Sequence, residues 1–124
     1  MPEKSPSAGV IEWKTAWESR DAARVAAMYS PSGRHSSSMI ASLWPELGRT
    51  VLIGRDEIRA YAVRGLERFT ELRFELVTVT EADGRAAVEY RRHSNLAPAN
   101  PRHVLELIEW DADGLISSCR VFHF

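Results

Sequence analysis

The apolar positions of this chain change period part-way along it, from helical spacing in the first half to strand-like runs in the second. Val10, Trp13, Ala16 and Trp17 fall three or four residues apart or side by side on one face, which predicts a helix. Arg20-Asp21 closes it, and Asp21 offers an N-cap oxygen to a second helix through Val25, Met28 and Tyr29. Ser30-Pro31-Ser32-Gly33 carries turn chemistry and predicts the end of that helix, leaving residues 34–38 as a short strand. In Leu43-Trp44-Pro45-Glu46-Leu47-Gly48, proline and glycine deny a long helix while the apolar residues need cover. Residues 39–49 therefore read as a loop folded over an apolar opening. A short strand, 50–53, ends at Gly54. A third helix follows, with Asp56 and Glu57 in its first turn, where negative charge complements the helix dipole. Its buried stripe is Ile58, Ala62, Leu66 and Phe69, with Arg55, Arg59, Arg64 and Arg68 largely on the wet side.

Four strands are predicted beyond it, over 72–80, 85–94, 103–110 and 115–124. Asp83-Gly84 and Asp113-Gly114 are tight-turn dipeptides between the first and the last pair, and Asn95 to Pro101 makes a longer loop between the middle two. The result is an antiparallel meander. Leu72, Phe74 and Leu76 oppose Arg73 and Glu75, but Leu105 and Leu107 alternate with Val104, Ile108 and Trp110, so that strand is apolar on both faces. Such a sheet needs two covers. The helices supply one, and a second copy of the chain is the economical other, which predicts a homodimer through the sheet; a sheet curled strongly enough to bury part of its own outer face is the alternative.

Length and charge narrow the class. A chain of 124 residues fits one domain that buries roughly two-thirds of its unfolded surface. A net charge of −1 with dispersed Lys and Arg offers no basic field, so neither nucleic acid nor an anionic membrane is an expected partner. The single cysteine, Cys119, excludes an intrachain disulfide and suits a reducing compartment. Residues 1–9 are polar and rich in Pro and Ser, a flexible tail before a domain spanning 10–124, and no stretch approaches membrane-spanning length. A cytoplasmic protein is the expectation.

The order of these elements is more telling than any one of them. Two helices meeting at Arg20-Asp21, then Met28-Tyr29-Ser30-Pro31-Ser32-Gly33, Ile53-Gly54-Arg55-Asp56-Glu57-Ile58, Asp113-Gly114-Leu115-Ile116 and Arg120-Val121-Phe122 resemble the nuclear transport factor 2-like superfamily, in particular its SnoaL-like and ketosteroid-isomerase-like branch. The resemblance covers the chain from Val10 onward. It implies an α+β, cystatin-like cone with three N-terminal helices packed in a curved antiparallel sheet, open at one end to a pocket and commonly dimeric through the sheet. It implies small-molecule chemistry such as that of isomerases, cyclases, dehydratases or hydrolases, with no cofactor. His35, His93, His103 and His123 could in principle gather into a metal site, but none shows local ligand spacing, so no metal is expected.

The catalytic residues of such enzymes carry over poorly. The proton-shuttling aspartate of ketosteroid isomerases would fall near Ser37, the oxyanion tyrosine near Trp13, and the protonated aspartic acid near Glu106, the one position where the chemistry survives. Polyketide cyclases of the SnoaL type use an aspartate late in the last strand, where this chain has Val121, His123 and Phe124. The Asp-Arg-Asp set of limonene-epoxide hydrolases meets only Glu89-Tyr90-Arg91, in reversed order.

What remains is a polar set that strand periodicity can gather. Glu89, Arg91 and His93 share one face of their strand, and Cys119, Val121 and His123 share one face of the last. The catalytic candidates are Glu106 or Glu89 as acid or base, His93 or His123 as its partner, and Arg91 as the orienter of an anion or carbonyl. Pairing of Glu89 and Arg91 with cross-strand neighbours, as ordinary sheet stabilisation, is the alternative. Trp13, Trp17, Tyr29, Trp44 and Tyr61, with Cys119 and Val121, are candidate ligand contacts. Trp44 is the candidate lid, and His103 is expected to face away from His93. Three classes of function are open: an acid-base enzyme on an apolar or polyketide-like molecule, a noncatalytic binder using the same cavity, and a dimerisation module whose cone is filled by side chains.

Overall fold

The computed structural model describes residues 6–124. Helix α1 (Ala8–Glu18) starts at Ser7, whose Oγ accepts the Val10 N–H at 3.4 Å, so Ala8 and Gly9 are helical and not part of the expected tail. Residues 1–5 of that tail lie outside the described residues. Asp21 caps α2 (Ala22–Ala27) as its position implied, Oδ1 accepting the amides of Ala23 and Arg24 at 3.0 and 3.2 Å.

Strand β1 (Tyr29–Ser37) departs from the expectation. It begins eight residues after Asp21 and runs through Pro31 and Gly33, where a turn was predicted. Proline is tolerated there because the pairing of β1 is interrupted between Tyr29 and Arg34, so its missing N–H costs no ladder bond. The expected loop after β1 instead contains a short helix, α3 (Met39–Leu43), and a single 3-10 turn at Pro45–Leu47 that Gly48 ends with φ of 74°. Strand β2 (Val51–Ile53) leads to α4 (Arg55–Leu66), and then come β3 (Leu72–Ala82), β4 (Arg85–Ser94), β5 (Arg102–Trp110) and β6 (Ile116–His123). Both Asp-Gly turns form where predicted, with Gly84 and Gly114 at φ of 71° and 78°.

The six strands make one sheet in the order β2-β1-β6-β5-β4-β3. Its last four strands in sequence are the predicted antiparallel meander, but β1 joins β6 in parallel, a long-range pairing that no turn announces. The sheet curves about the helices, and three register shifts contribute to that curvature: within β1, at Val77 in β3, and at Ser117 in β6. Val77 is left exposed, whereas Ile116 and Cys119, on either side of the β6 irregularity, are both turned inward and buried. Gly33 is the contact point of the β1 irregularity: a Cβ there would stand 2.8 Å from the Ile116 carbonyl oxygen.

Helices α1, α2 and α4 fill the concave side. Trp13 and Ile58 are buried between them and the sheet together with Val88, Val104 and Ile108. Trp13 stands against Phe74 and edge-on to Tyr90, with ring centroids 5.2 and 5.3 Å apart. Among the described residues no helix is long and apolar enough to cross a membrane.

Candidate active site

The inner face of the sheet continues past the packed core into a cavity between α4 and the ends of β4, β5 and β6. About 60 Å³ of it is open to the centre of a water molecule, within about 550 Å³ of atom-free space that includes the mouth. Each wall follows from local periodicity. On β4, Ala86, Val88 and Tyr90 are buried at period two, which carries Arg92 to the cavity. Between Val104 and Ile108 on β5, the same alternation turns Glu106 inward. Val121 and His123 come from β6, His35 and Ser37 from β1, and Tyr61 and Arg68 from α4 and the residues after it. Met39 and Leu43 of α3 border the opening, with Trp17 of α1 opposite the sheet.

Glu106 is the polar centre of this arrangement. Only 3% of it is exposed, and three donors reach its carboxyl group: Trp13 Nε1 to Oε2 at 3.1 Å, the Cys119 thiol to Oε2 at 3.0 Å, and the Tyr90 hydroxyl to Oε1 at 2.5 Å. Burial raises its pKa, and neither these bonds nor the charge of Arg92 offsets that completely. A second pair lies alongside, with the Tyr29 hydroxyl 2.8 Å from His35 Nδ1. Burial, followed by the influence of His123, lowers the pKa of His35 to about 4. His123 is likewise lowered to about 4, by burial and then by Arg92 and Arg102, and among the described residues its buried Nδ1 has no hydrogen-bond partner. Both imidazoles are thus neutral near pH 7. Burial lowers the pKa of Arg92, while Arg68 and Arg102 add like charge.

The structure brings some of the predicted residues together and separates others. Glu106, His123, Trp17, Tyr61 and Val121 line the cavity. Glu89, Arg91 and His93 do not: they occupy the convex face, because their inward-facing neighbours are Val88, Tyr90 and Arg92. Glu89 pairs there with His103 at 2.6 Å and His93 with Glu75 at 2.8 Å, the cross-strand pairing that was the alternative reading. His103 stands opposite Arg91 and so shares the face of His93, contrary to expectation. Trp13, Tyr29 and Cys119 are buried behind the cavity wall, touching Glu106 or His35 and not the open space. Trp44 does not close the opening; its ring lies 4.2 Å from the Arg64 guanidinium, and Met39 and Leu43 border the mouth instead. Arg68, assigned to the wet side of its helix, reaches the cavity from just beyond the helix end. Sequence reading also missed Arg92 and His35. The apolar set Ala86, Val88 and Tyr90 is the signal that identifies the face of Arg92, whereas no apolar neighbour within residues 34–38 marks that of His35.

The model of the SnoaL-like domain matches residues 10–118. The chain belongs to the SnoaL-like domain family. Solved structures agree on the fold. A SnoaL-like protein of unknown function from Burkholderia thailandensis is 23% identical with a TM-score of 0.76, over 92% of this chain and 89% of that one. A Catenulispora acidiphila protein with a ketosteroid isomerase-like fold, in complex with trimethylamine, is 16% identical with a TM-score of 0.75, over 95% and 86%. A Shewanella denitrificans protein proposed to be a SnoaL-like polyketide cyclase is 12% identical with a TM-score of 0.74, over 94% and 88%. No curated protein matches the chain in sequence. The SnoaL-like fold is therefore established, as an α+β architecture with a curved six-stranded sheet.

Proposed function

We propose that this SnoaL-like domain holds a small, largely apolar molecule in the cone and moves a proton on it without a cofactor. The observation that carries this reading is Glu106: a carboxyl group shifted toward its neutral form by burial, in a cavity that also presents a neutral imidazole with an unpartnered nitrogen. In such a site the neutral imidazole of His123 takes a proton from the carbon beside a carbonyl. The C–H bond breaks, an N–H bond forms, and the electron pair moves to the carbonyl oxygen, where Glu106 stabilises it by a hydrogen bond when its carboxyl group is protonated. Return of a proton to either carbon gives exchange or isomerisation. The Shewanella protein is proposed to be a SnoaL-like polyketide cyclase, and polyketides as a class are rich in carbonyl groups, which supports the substrate class.

The test needs no knowledge of the natural substrate. In deuterium oxide, the protein is expected to accelerate exchange of the α-hydrogens of a flat ketone such as 2-tetralone, followed by NMR. Glu106→Gln, which keeps shape and polarity, should slow exchange by roughly 100-fold or more. A second reading rests on the three donors that converge on Glu106, since a carboxyl group so fully engaged is also a structural anchor for a noncatalytic binding pocket. Ketone binding seen by thermal shift, without accelerated exchange, would establish that second reading and remove the first. The homodimer through the sheet is part of the same proposal, supported by the apolar residues Leu105, Leu107 and Phe122 on the convex face.

A further inference from the structure

The cavity has a cationic end that the proton-transfer chemistry does not use. Arg92 lines it from the inward face of β4 and Arg68 from the segment after α4, and neither guanidinium has a carboxylate within ion-pair distance among the described residues. Arg68 spends its Nε on the Gly65 carbonyl at 3.1 Å. The two guanidinium groups flank one ring, 5.0 and 5.5 Å from the centroid of Phe69, which restricts where their forks can point. Trp17 also lines the cavity, and its buried indole N–H has no acceptor among the described residues. A buried donor without a partner is costly, and a half-buried arginine without a counter-charge is costlier. The site therefore lacks an acceptor, and specifically a negative one.

We propose that Arg92 and Arg68 bind the carboxylate of a flat aromatic or unsaturated acid whose apolar body enters the cavity beside Phe69 and Trp17. The inference rests on the small-molecule reading above and adds the ligand's charge. A planar carboxylate suits paired guanidinium forks, whereas a phosphate dianion carries more hydration than a cavity lined by Leu66, Phe69, Leu72 and Phe74 can replace. The open space, about 60 Å³ for the centre of a water molecule, suits a compact planar acid. Burial raises the pKa of Glu106, which lessens its opposition to the acid.

The experiment compares acids with their uncharged amides on the full chain, using 2-naphthoate against 2-naphthamide and benzoate against benzamide, read by calorimetry and by quenching of tryptophan fluorescence. The acids are expected to bind at least tenfold more tightly, as a charge-assisted pair in a partly buried site requires. Arg92→Met should reduce that preference to about one, and Arg92→Lys should retain part of it because the charge stays but the fork is lost. Arg68→Met, at a less buried position, should weaken the acids alone. Equal affinity for acid and amide in the unaltered protein, or an undiminished preference in both Arg68→Met and Arg92→Met, overturns the carboxylate proposal while leaving a small-molecule cavity. Failure of all four compounds to bind overturns the cavity reading as well.

Discussion

At the scale of single residues, the cavity holds two imidazoles in the neutral form, which an exposed histidine loses at mildly acid pH. His35 is 3% exposed, and it faces Tyr29, Trp17, Tyr61 and His123, none of which is anionic near neutral pH. An unfolded chain takes up a proton on this histidine as pH falls through about 6.5, whereas the folded chain takes one only near 4. The unfolded state thus binds more protons in that window, so stability is complete above it and declines as pH drops from about 6.5 to about 4. For a fully buried histidine this loss is on the order of 3 kcal/mol, and half-buried His123 adds a smaller share. Thermal unfolding followed from neutral pH down to about 4.5 should show the decline, and His35→Gln should flatten it. The Arg49 ion pair and the Ile53 amide hold Glu57 at about 2, so its contribution is lost only below the ordinary carboxylate range and does not mimic the effect. A slope unchanged in His35→Gln would remove His35 from the account.

At the scale of elements, the pocket depends on irregular strands. Tyr29, Gly33, His35 and Ser37 lie at even spacing along β1 and are all buried, and where the pairing of β1 with β6 is interrupted Gly33 comes close to the Ile116 carbonyl. Gly33→Ala would press a methyl group to 2.8 Å from the Ile116 carbonyl oxygen and 3.1 Å from that of Ser30. Backbone atoms cannot swing aside, so a loss of about 1–3 kcal/mol is expected as a lower urea midpoint; an unchanged midpoint would mean that β1 shifts freely. The same irregularities explain what the sequence conceals. Helix α4, the meander and both Asp-Gly turns are legible because each is specified by neighbours in the chain: a 3.6-residue stripe, or a turn dipeptide between alternating runs. The inward faces of β4 and β5 are legible too, from Val88 and Tyr90 and from Val104 and Ile108, and they carry Arg92 and Glu106 with them. Assigning Glu89, Arg91 and His93 to the cavity overlooked that apolar alternation. The parallel pairing of β1 with β6 and the extra residues at Val77 and Ser117 have no local signal, since one inserted residue reverses every face that follows it.

At the scale of the whole molecule, one side of the sheet is filled and the other is not. Helices cover the concave face, but the convex face presents Leu105 and Leu107 of β5 beside Phe122 of β6, with Leu105 directly opposite Phe122 in the ladder and Phe124, 72% exposed, next to them. These residues border a broad shallow hollow with Ser36 and Thr50 at its margin. The hollow and the cavity are two sides of the same strand, for Phe122 points outward between Val121 and His123, both of which line the site. Covering the convex face with a second copy would bury the apolar side chains and stiffen the segment of β6 that positions His123. Light scattering on the eluted protein should therefore report twice the 14.0 kDa chain mass, and Phe122→Glu, which places an unpaired charge in the centre of the contact, should yield a monomer with unchanged circular dichroism. If the coupling through β6 is real, that monomer binds 2-naphthamide more weakly than the dimer does, although no residue of the cavity has been altered. A protein that elutes as a monomer before any substitution would leave the convex face simply exposed, and the support for His123 would then have to come from its own chain alone.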